Sequence, residues 1–363
     1  MLHRLKHIVS VLGLLLVLTS CDKTIHEYPT ESTIILNLSC QINTEDPEFF
    51  VYVECDAKNG TSYIVRTQGV TQKNTRFDEP VKLRYIYDLY RVVASHTELV
   101  ERRVAWVDPS QPIPEPEQYV LEAAEYKVLV WCDYVRASAQ DESWYYNTND
   151  LRNIRYSDIE VKDNNDKDVF TKMLHLNFRD YSYATGTFEV DKELILDRPN
   201  GRYKCYTTDV RDYLGKDTAK ELTAVVTYVQ WVADGYNVEE QKPNHFSETR
   251  TYVSTVSLDD LDSEGNLEFA YDYVLVNGKQ SNVKVNFEFY KGVITKGSNG
   301  KLYKQGGVLA TEDDRISNWS GVVVPLKRNM ETVVKGRFLT QSFGSGGIGI
   351  EPGFDGEIVI PWE

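Results

Sequence analysis

Residues 81–93 read VKLRYIYDLYRVV. Val81, Leu83, Tyr85, Tyr87 and Leu89 recur at every second position, so an extended chain places all five on one face. Branched and aromatic side chains pack well on a pleated surface and lose rotamer freedom in a helix, so a long strand is expected. The next apolar stretch, residues 125–135 (EYKVLVWCDYV), is almost continuous and reads as a strand buried on both faces. Between the two, residues 108–117 carry Pro109, Pro112, Pro114 and Pro116. A ring that locks φ and removes a donor suits neither a helix interior nor a central strand, so this is a surface loop.

The same alternation extends in both directions. Upstream, Ile34, Leu36 and Leu38 alternate with polar residues, residues 49–55 alternate again, and Asn59-Gly60 is a hairpin dipeptide leading into residues 62–66. Downstream, residues 143–154 (SWYYNTNDLRNI) predict a short helical turn after Thr148 or Asn149, and residues 163–168 (DNNDKD) a solvated turn. A composition shift over residues 180–191 suggests a domain boundary. Further strands follow at 193–196, 202–210, 222–232, 250–256, 267–276, 282–290, 322–326, 332–339 and 357–361. Pro199-Asn200-Gly201 and Asn277-Gly278 supply turns. Many short strands and few segments of helical period predict an all-β protein, and 363 residues suit two domains. Two tandem β-sandwiches are expected, at 33–188 and 189–363.

The N-terminus carries an address. His3, Arg4, Lys6 and His7 precede an apolar run over residues 8–18, and Leu18-Thr19-Ser20-Cys21 follows. That order marks a secretory signal, with an apolar stretch shorter than a bilayer span requires. Leu-Thr-Ser-Cys matches the bacterial lipoprotein box. Residues 1–20 are therefore read as a lipoprotein signal peptide cleaved between Ser20 and Cys21, with Cys21 lipidated by palmitate-type chains. Residues 21–32 form a polar, lipid-proximal tether. The expected location is the outer membrane or cell surface, with the protein held by its lipid.

Asp and Glu number 55 against 40 Lys and Arg, a formal charge of −15. The signal segment holds Arg4 and Lys6 and no acid, so the mature chain is more acidic still. Such a body is repelled by phosphate backbones and anionic lipid surfaces. No nucleic acid is expected as a partner, and membrane contact falls to the acyl chains.

Chemistry has few footholds. Cys40, Cys55 and Cys132 each continue an apolar stripe, and with Cys205 they read as buried thiols, although spacing alone leaves all three disulfide pairings open. His26, His96, His175 and His245 are isolated, with no two-histidine zinc motif, and no Gly-x-Ser-x-Gly elbow is present. Residues 344–349 (GSGGIG) match a dinucleotide fingerprint formally, but Pro352 and Gly353 leave no room for the helix that receives the phosphates. Residues 260–265 (DLDSEG) begin like a calcium loop, yet Tyr271 stands where its bidentate glutamate belongs. These read as a flexible loop and a tight acidic turn. No cofactor, metal or enzymatic activity is expected. Trp106, Trp144, Tyr145 and Tyr146 lie near loops, where aromatic faces stack on glycans, although packing between sheets is the commoner use of such rings.

Four stretches carry a resemblance to a family. They are the lipoprotein box with Cys21-Asp22-Lys23; YKVLVWCDY at 126–134, continuing to Tyr145-Tyr146-Asn147-Thr148; LILDRP at 194–199; and VPLKRN at 324–329, running on to GRFLT at 336–340 and Phe354-Asp355-Gly356. In that order they resemble the fimbrillin superfamily of Bacteroidota envelope lipoproteins: shaft, tip and anchor subunits of fimbriae. The resemblance implies two transthyretin-like sandwiches, no cofactor, and assembly with fimbrial subunits by strand addition. It also implies maturation of shaft subunits by cleavage at an arginine, for which Arg66 and Arg76 are candidates, and O-glycosylation at Asp217-Thr218-Ala219, on Thr218. An anchor must stay continuous from Cys21 to its far end, so an uncut anchor or accessory subunit is expected. The terminal strand over residues 356–362 is expected to fill its own sandwich or to reach into a neighbour. The overall expectation is a non-enzymatic surface lipoprotein: a fimbrial anchor, accessory subunit or adhesin. The alternative is a glycan-binding lipoprotein using loop aromatics.

Overall fold

The structure, a computed structural model, describes residues 32–43, 47–57, 60–64, 77, 80–138, 145–157, 164–215 and 220–343. The signal and lipoprotein box, almost all of the tether, Arg66, Arg76, Trp144, Thr218, the glycine run 344–349 and the terminal strand lie outside these residues.

The protein is built from two β-sandwiches, and the chain crosses between them repeatedly. β1 (Thr33–Ile42) begins the first, while β2 (Glu48–Asp56) and β3 (Gly60–Ile64) cross to the second. The first then receives β4 (Val81–Val93), β5 (His96–Val107), β6 (Glu117–Glu122) and β7 (Glu125–Arg136). β8 (Tyr146–Asn147) and β9 (Ile154–Tyr156) join the second, and β10 (Val169–Asn177) and β11 (Thr187–Leu196) complete the first. From β12 (Asn200–Thr207) onward the chain stays with the second sandwich. There follow a short helix α1 (Val210–Leu214), β13 (Glu221–Asn237), β14 (Lys242–Ser257), β15 (Leu267–Leu275) and β16 (Gln280–Lys291). A small sheet of β17 (Ile294–Lys296), β18 (Leu302–Lys304) and β19 (Val308–Leu309) precedes β20 (Arg315–Lys327) and β21 (Met330–Gly336). Among the described residues no helix is long and apolar enough to cross a membrane.

In the first sandwich the sheet β11-β1-β6 packs on β10-β7-β4-β5. Leu83, Tyr85, Tyr87 and Leu89 all point into that core, as the period of two demands, and Val128, Val130 and Cys132 of β7 meet them. The alternate residues of β7, Leu129 and Trp131, are buried on the opposite face, so this strand is covered on both sides. In the second sandwich the sheet β15-β12-β21-β2-β3 packs on β20-β16-β13, with β14 along the other side of β13. Its centre is an aromatic cluster of Phe269, Phe287, Phe289, Phe338 and Trp319, with rings 4.8–5.3 Å from Phe269 at Phe287, Phe289 and Phe338.

The two spans expected from the sequence are interleaved. β2 lies parallel to β21, so Val53 sits opposite Val334, and β11 runs past residue 188 to Leu196 beside β1. Pairing between strands so far apart leaves no local signature, whereas the alternation within each strand does. Three smaller expectations also change. The helical turn near Thr148 is a hydrogen-bonded turn, with the Asn153 amide donating to the Asp150 carbonyl at 2.9 Å. The strand expected to reach Val210 stops at Thr207 and gives way to α1. Residues 164–167 form a 3-10 turn with Asp166 and Asp168 buried, not solvated.

The cysteines occupy two cores: Cys40 and Cys132 in the first sandwich, Cys55 and Cys205 in the second, all buried. Cys55 and Cys205 are separated by β21, and two strand spacings come to roughly 9–10 Å, beyond disulfide reach. Cys40 and Cys132 belong to opposing sheets, which stand about 10 Å apart. Burial pushes the Cys40 thiol up to about 12 and that of Cys132 well above its usual value. The native protein should leave these four thiols unreactive towards Ellman's reagent at pH 8, and denaturant should release them all. Rapid native labelling of any of the four would refute this placement.

The segment GRFLT at 336–340 serves to close the second sandwich. A Cβ on Gly336 would lie 2.7 Å from the Cys55 carbonyl oxygen, so only glycine permits this approach. Phe338 fills the aromatic cluster, and the buried Asp209 carboxylate accepts from the Thr340 amide at 2.7 Å and its hydroxyl at 2.6 Å. It also accepts from Thr207 Oγ1 at 2.6 Å. Asp209→Ala strands these donors in a buried site and should cost about 2–3 kcal/mol, read as a lower denaturation midpoint. Asp209→Asn, which keeps acceptor capacity, should cost less.

Candidate functional site

Two features stand out where the sandwiches meet: a dry seam and an open trough beside it. The seam is the outer face of β4 and β7 closed by segments of the second sandwich. Ile86, Leu129, Trp131 and Val169 pack against Tyr146, Ile154, Tyr236 and Leu275. The Trp131 ring meets Tyr146 edge-on at 5.2 Å and Tyr236 at 6.1 Å. β13 reaches this position because a bulge at Gln230, with φ at +77°, and Trp231 bends its second half away from β16, so that it pairs with β9.

Residues 164–168 latch the seam. Asp166 pairs with Arg136 of β7 at 3.0 Å, Lys167 with Asp272 of β15 at 2.8 Å, and Asp168 with Arg198 at 2.8 Å. Asn164 Nδ2 donates to the Tyr271 carbonyl at 2.5 Å. A run of polar residues is buried here because each charge finds an opposite one, which is the condition for leaving water. The guanidinium of Arg198 also lies 4.5 Å over Phe170 and donates to Asn329 at 3.1 Å. LILDRP and VPLKRN thus meet at the junction as fasteners.

The trough, about 1340 Å³, runs along the open flank of the second sandwich between the edge strands β14 and β15. β9 and the latch close one end, and the segment 293–300 flanks β14. Its wall is rich in tyrosine: Tyr145, Tyr156, Tyr228, Tyr252 and Tyr271. A hydroxyl chain runs from Tyr252 to Tyr203 at 3.0 Å and on to Tyr228 at 2.9 Å, and Tyr228 donates to the Asp272 carboxylate at 2.6 Å. Burial drives these phenols well above their usual range, and the Asp272 charge beside them adds to it, so they stay protonated donors. Arg250 lies 4.2 Å over the Tyr156 ring and donates through Nη1 to the Tyr145 hydroxyl at 3.4 Å. Lys296 donates to the Thr251 carbonyl at 3.3 Å.

The aromatic residues singled out from the sequence separate. Trp106 is 43% exposed on β5 and does not line the trough, with Arg84 6.0 Å over its ring. Tyr146 is buried in the seam against Trp131 and offers no face to a ligand. Tyr145 is mostly buried but lines the trough. Lys167, Tyr228, Arg250, Tyr252 and Lys296 were not foreseen, because they come from separate strands and loops. The one local signal is the run TRTYVST at 249–255, unusually rich in hydroxyls for a strand. The histidines pair singly with carboxylates: His96 with Glu98 at 3.0 Å, His175 with Glu125 at 2.6 Å and His245 with Asp234 at 2.5 Å. Among the described residues no three His, Cys, Asp or Glu side chains gather to hold a metal. In the 260–265 turn Asp262 accepts from the amides of Glu264 and Asn266 at 2.9 and 2.8 Å, so its carboxylate is spent inside the turn.

Comparison with solved structures finds several to which this chain is similar. A candidate adhesin from Bacteroides ovatus is 12% identical, with 87% of this chain and 90% of that one covered and a TM-score of 0.39. A candidate cell-adhesion protein from Bacteroides eggerthii is 10% identical, with coverage of 88% and 90% and a TM-score of 0.38. The fimbrial anchor protein Mfa2 from Porphyromonas gingivalis is 6% identical, with coverage of 72% and 78% and a TM-score of 0.31. No curated protein sequence matches the chain. Residues 43–304 and 307–362 match a single family model, so the chain belongs to DUF6562, a family of unknown function.

Proposed function

We propose that the protein is a non-enzymatic lipoprotein of the outer membrane or cell surface, tethered through lipidated Cys21, that serves as a fimbrial anchor or accessory subunit or as an adhesin. The observation that carries this reading is the latched seam. Three buried or nearly buried ion pairs and a tryptophan-centred core tie the two sandwiches together, which suits a part that transmits load from a lipid to a partner. Fimbrial subunits are the proposed partners, joined by strand addition, in which a partner's strand completes a sheet and its row of backbone hydrogen bonds. The test is genetic and biochemical: the protein should co-purify with surface fibres, and its deletion should release fibres into the medium. Fibres that stay attached without it, from preparations lacking it, would refute the anchor role.

A second reading, glycan binding, is favoured by the tyrosine-lined trough. Tyrosine rings present apolar faces and polar tips together, which suits a ring with both C–H faces and hydroxyl edges. On this reading Tyr145 is retained from the aromatic set as part of the binding wall, with Tyr252 added.

A further inference from the structure

The charge of the trough is opposite in sign to that of the chain. Acids exceed bases by 15 overall, yet the charged residues lining the trough are Lys167, Arg250, Lys296 and a single acid, Asp272. Lys167 and Asp272 neutralise each other at 2.8 Å. Arg250 and Lys296 remain, and neither has a carboxylate partner among the described residues. Arg250 is also held in position: its plane lies on Tyr156 and its Nη1 is engaged by Tyr145. Its Nε and Nη2, the edge that receives a carboxylate through two parallel hydrogen bonds, make no hydrogen bond among the described residues. The lining also carries Thr249, Ser254 and Ser298, while the hydroxyls of Thr251, Thr255 and Thr295 bond to Thr227, Thr223 and the Tyr303 carbonyl.

Resting on the glycan-binding reading, we propose that the trough takes an acidic oligosaccharide, a uronate-type chain whose carboxylate is received on the Nε–Nη2 edge of Arg250, with Lys296 meeting a second charge. A sparsely charged, hydroxyl-rich ligand matches two cations that have no carboxylate partner among the described residues and stand among hydroxyls and phenols. A nucleic acid, with a charge on every phosphate, would meet the repulsion of the acidic body beyond the trough. An open trough of about 1340 Å³ admits several sugar rings lying along it.

Isothermal titration of the full chain in detergent tests this with oligogalacturonate, hyaluronan oligosaccharide and sialyllactose. Fully methyl-esterified oligogalacturonate serves as the uncharged probe on the same skeleton. At least one acidic probe should bind, the methyl ester should bind about tenfold more weakly or worse, and added salt should weaken the acidic probe. Arg250→Gln should remove most of the preference for acid over ester, Arg250→Lys should restore part of it, and Lys296→Gln should lower it less. Unchanged melting temperatures would show that these variants fold. Equal binding of acid and ester would overturn the charge inference and leave the glycan reading standing. No binding of any saccharide would remove both. Stronger binding of oligothymidylate, or acidic binding unaffected by Arg250→Gln and Lys296→Gln together, would also overturn it.

Discussion

Trp131→Ala should be the most damaging single substitution in the body of the protein, at about 3–5 kcal/mol. Trp131 is fully buried, and its ring is the piece shared by the two sandwiches, standing on β7 and touching Tyr146 and Tyr236. Alanine would leave a cavity walled by two different sheets, whose latch of paired charges prevents them from moving together to fill it. The effect should therefore exceed that of a comparable truncation inside one sandwich, and it should weaken the coupling between the two. Denaturant unfolding followed by fluorescence and by circular dichroism is expected to shift to lower midpoint and to lose coincidence between the probes. Trp131→Phe separates ring from donor. The indole Nε1 has no hydrogen-bond partner among the described residues, so phenylalanine keeps the apolar contact while removing a buried unsatisfied group. It should cost far less than alanine. If Trp131→Ala left the midpoint unchanged, the seam would not be holding the sandwiches together.

Cys21→Ser should have the largest effect on where the protein resides. Each buried methylene contributes roughly 0.8 kcal/mol, so two or three acyl chains hold a protein firmly where one would not. Serine cannot form the thioether. What remains is the apolar run over residues 8–18, shorter than the ~20 residues of a spanning helix, and an acidic body repelled by anionic headgroups. Membrane fractionation should move most of the protein from the pellet to the soluble fraction, and labelling with a palmitate analogue should disappear. Equal recovery in membranes, resistant to carbonate washing, would refute the lipid tether. Because residues outside 1–21 are untouched, the melting temperature of the body should not change, which separates a loss of tethering from a loss of fold.

Strand character was legible because it is written in neighbouring residues. Side chains alternate across an extended backbone whatever the strand pairs with, so residues 81–93 and the double-sided run at 125–135 could be read without a partner in view. The same holds for the buried character of Cys40, Cys55 and Cys132, each on its own apolar stripe.

What lay beyond the sequence depends on which distant segments meet. Nothing near residues 48–56 signals that they will lie beside residues 330–336 in the second sandwich. Residues 163–168 look solvated because all six are charged or amide-bearing, yet Asp166 and Asp168 are buried and Lys167 nearly so, because Arg136, Arg198 and Asp272 converge on them from elsewhere. The trough has the same origin: its tyrosines and cations come from β9, β13, β14, β15 and the segments between them. Local geometry could be determined from the order of residues alone. Pairing, the burial of charge and the trough were decided by the tertiary structure, since a charge leaves water only when its opposite arrives, and that arrival is a property of the folded chain.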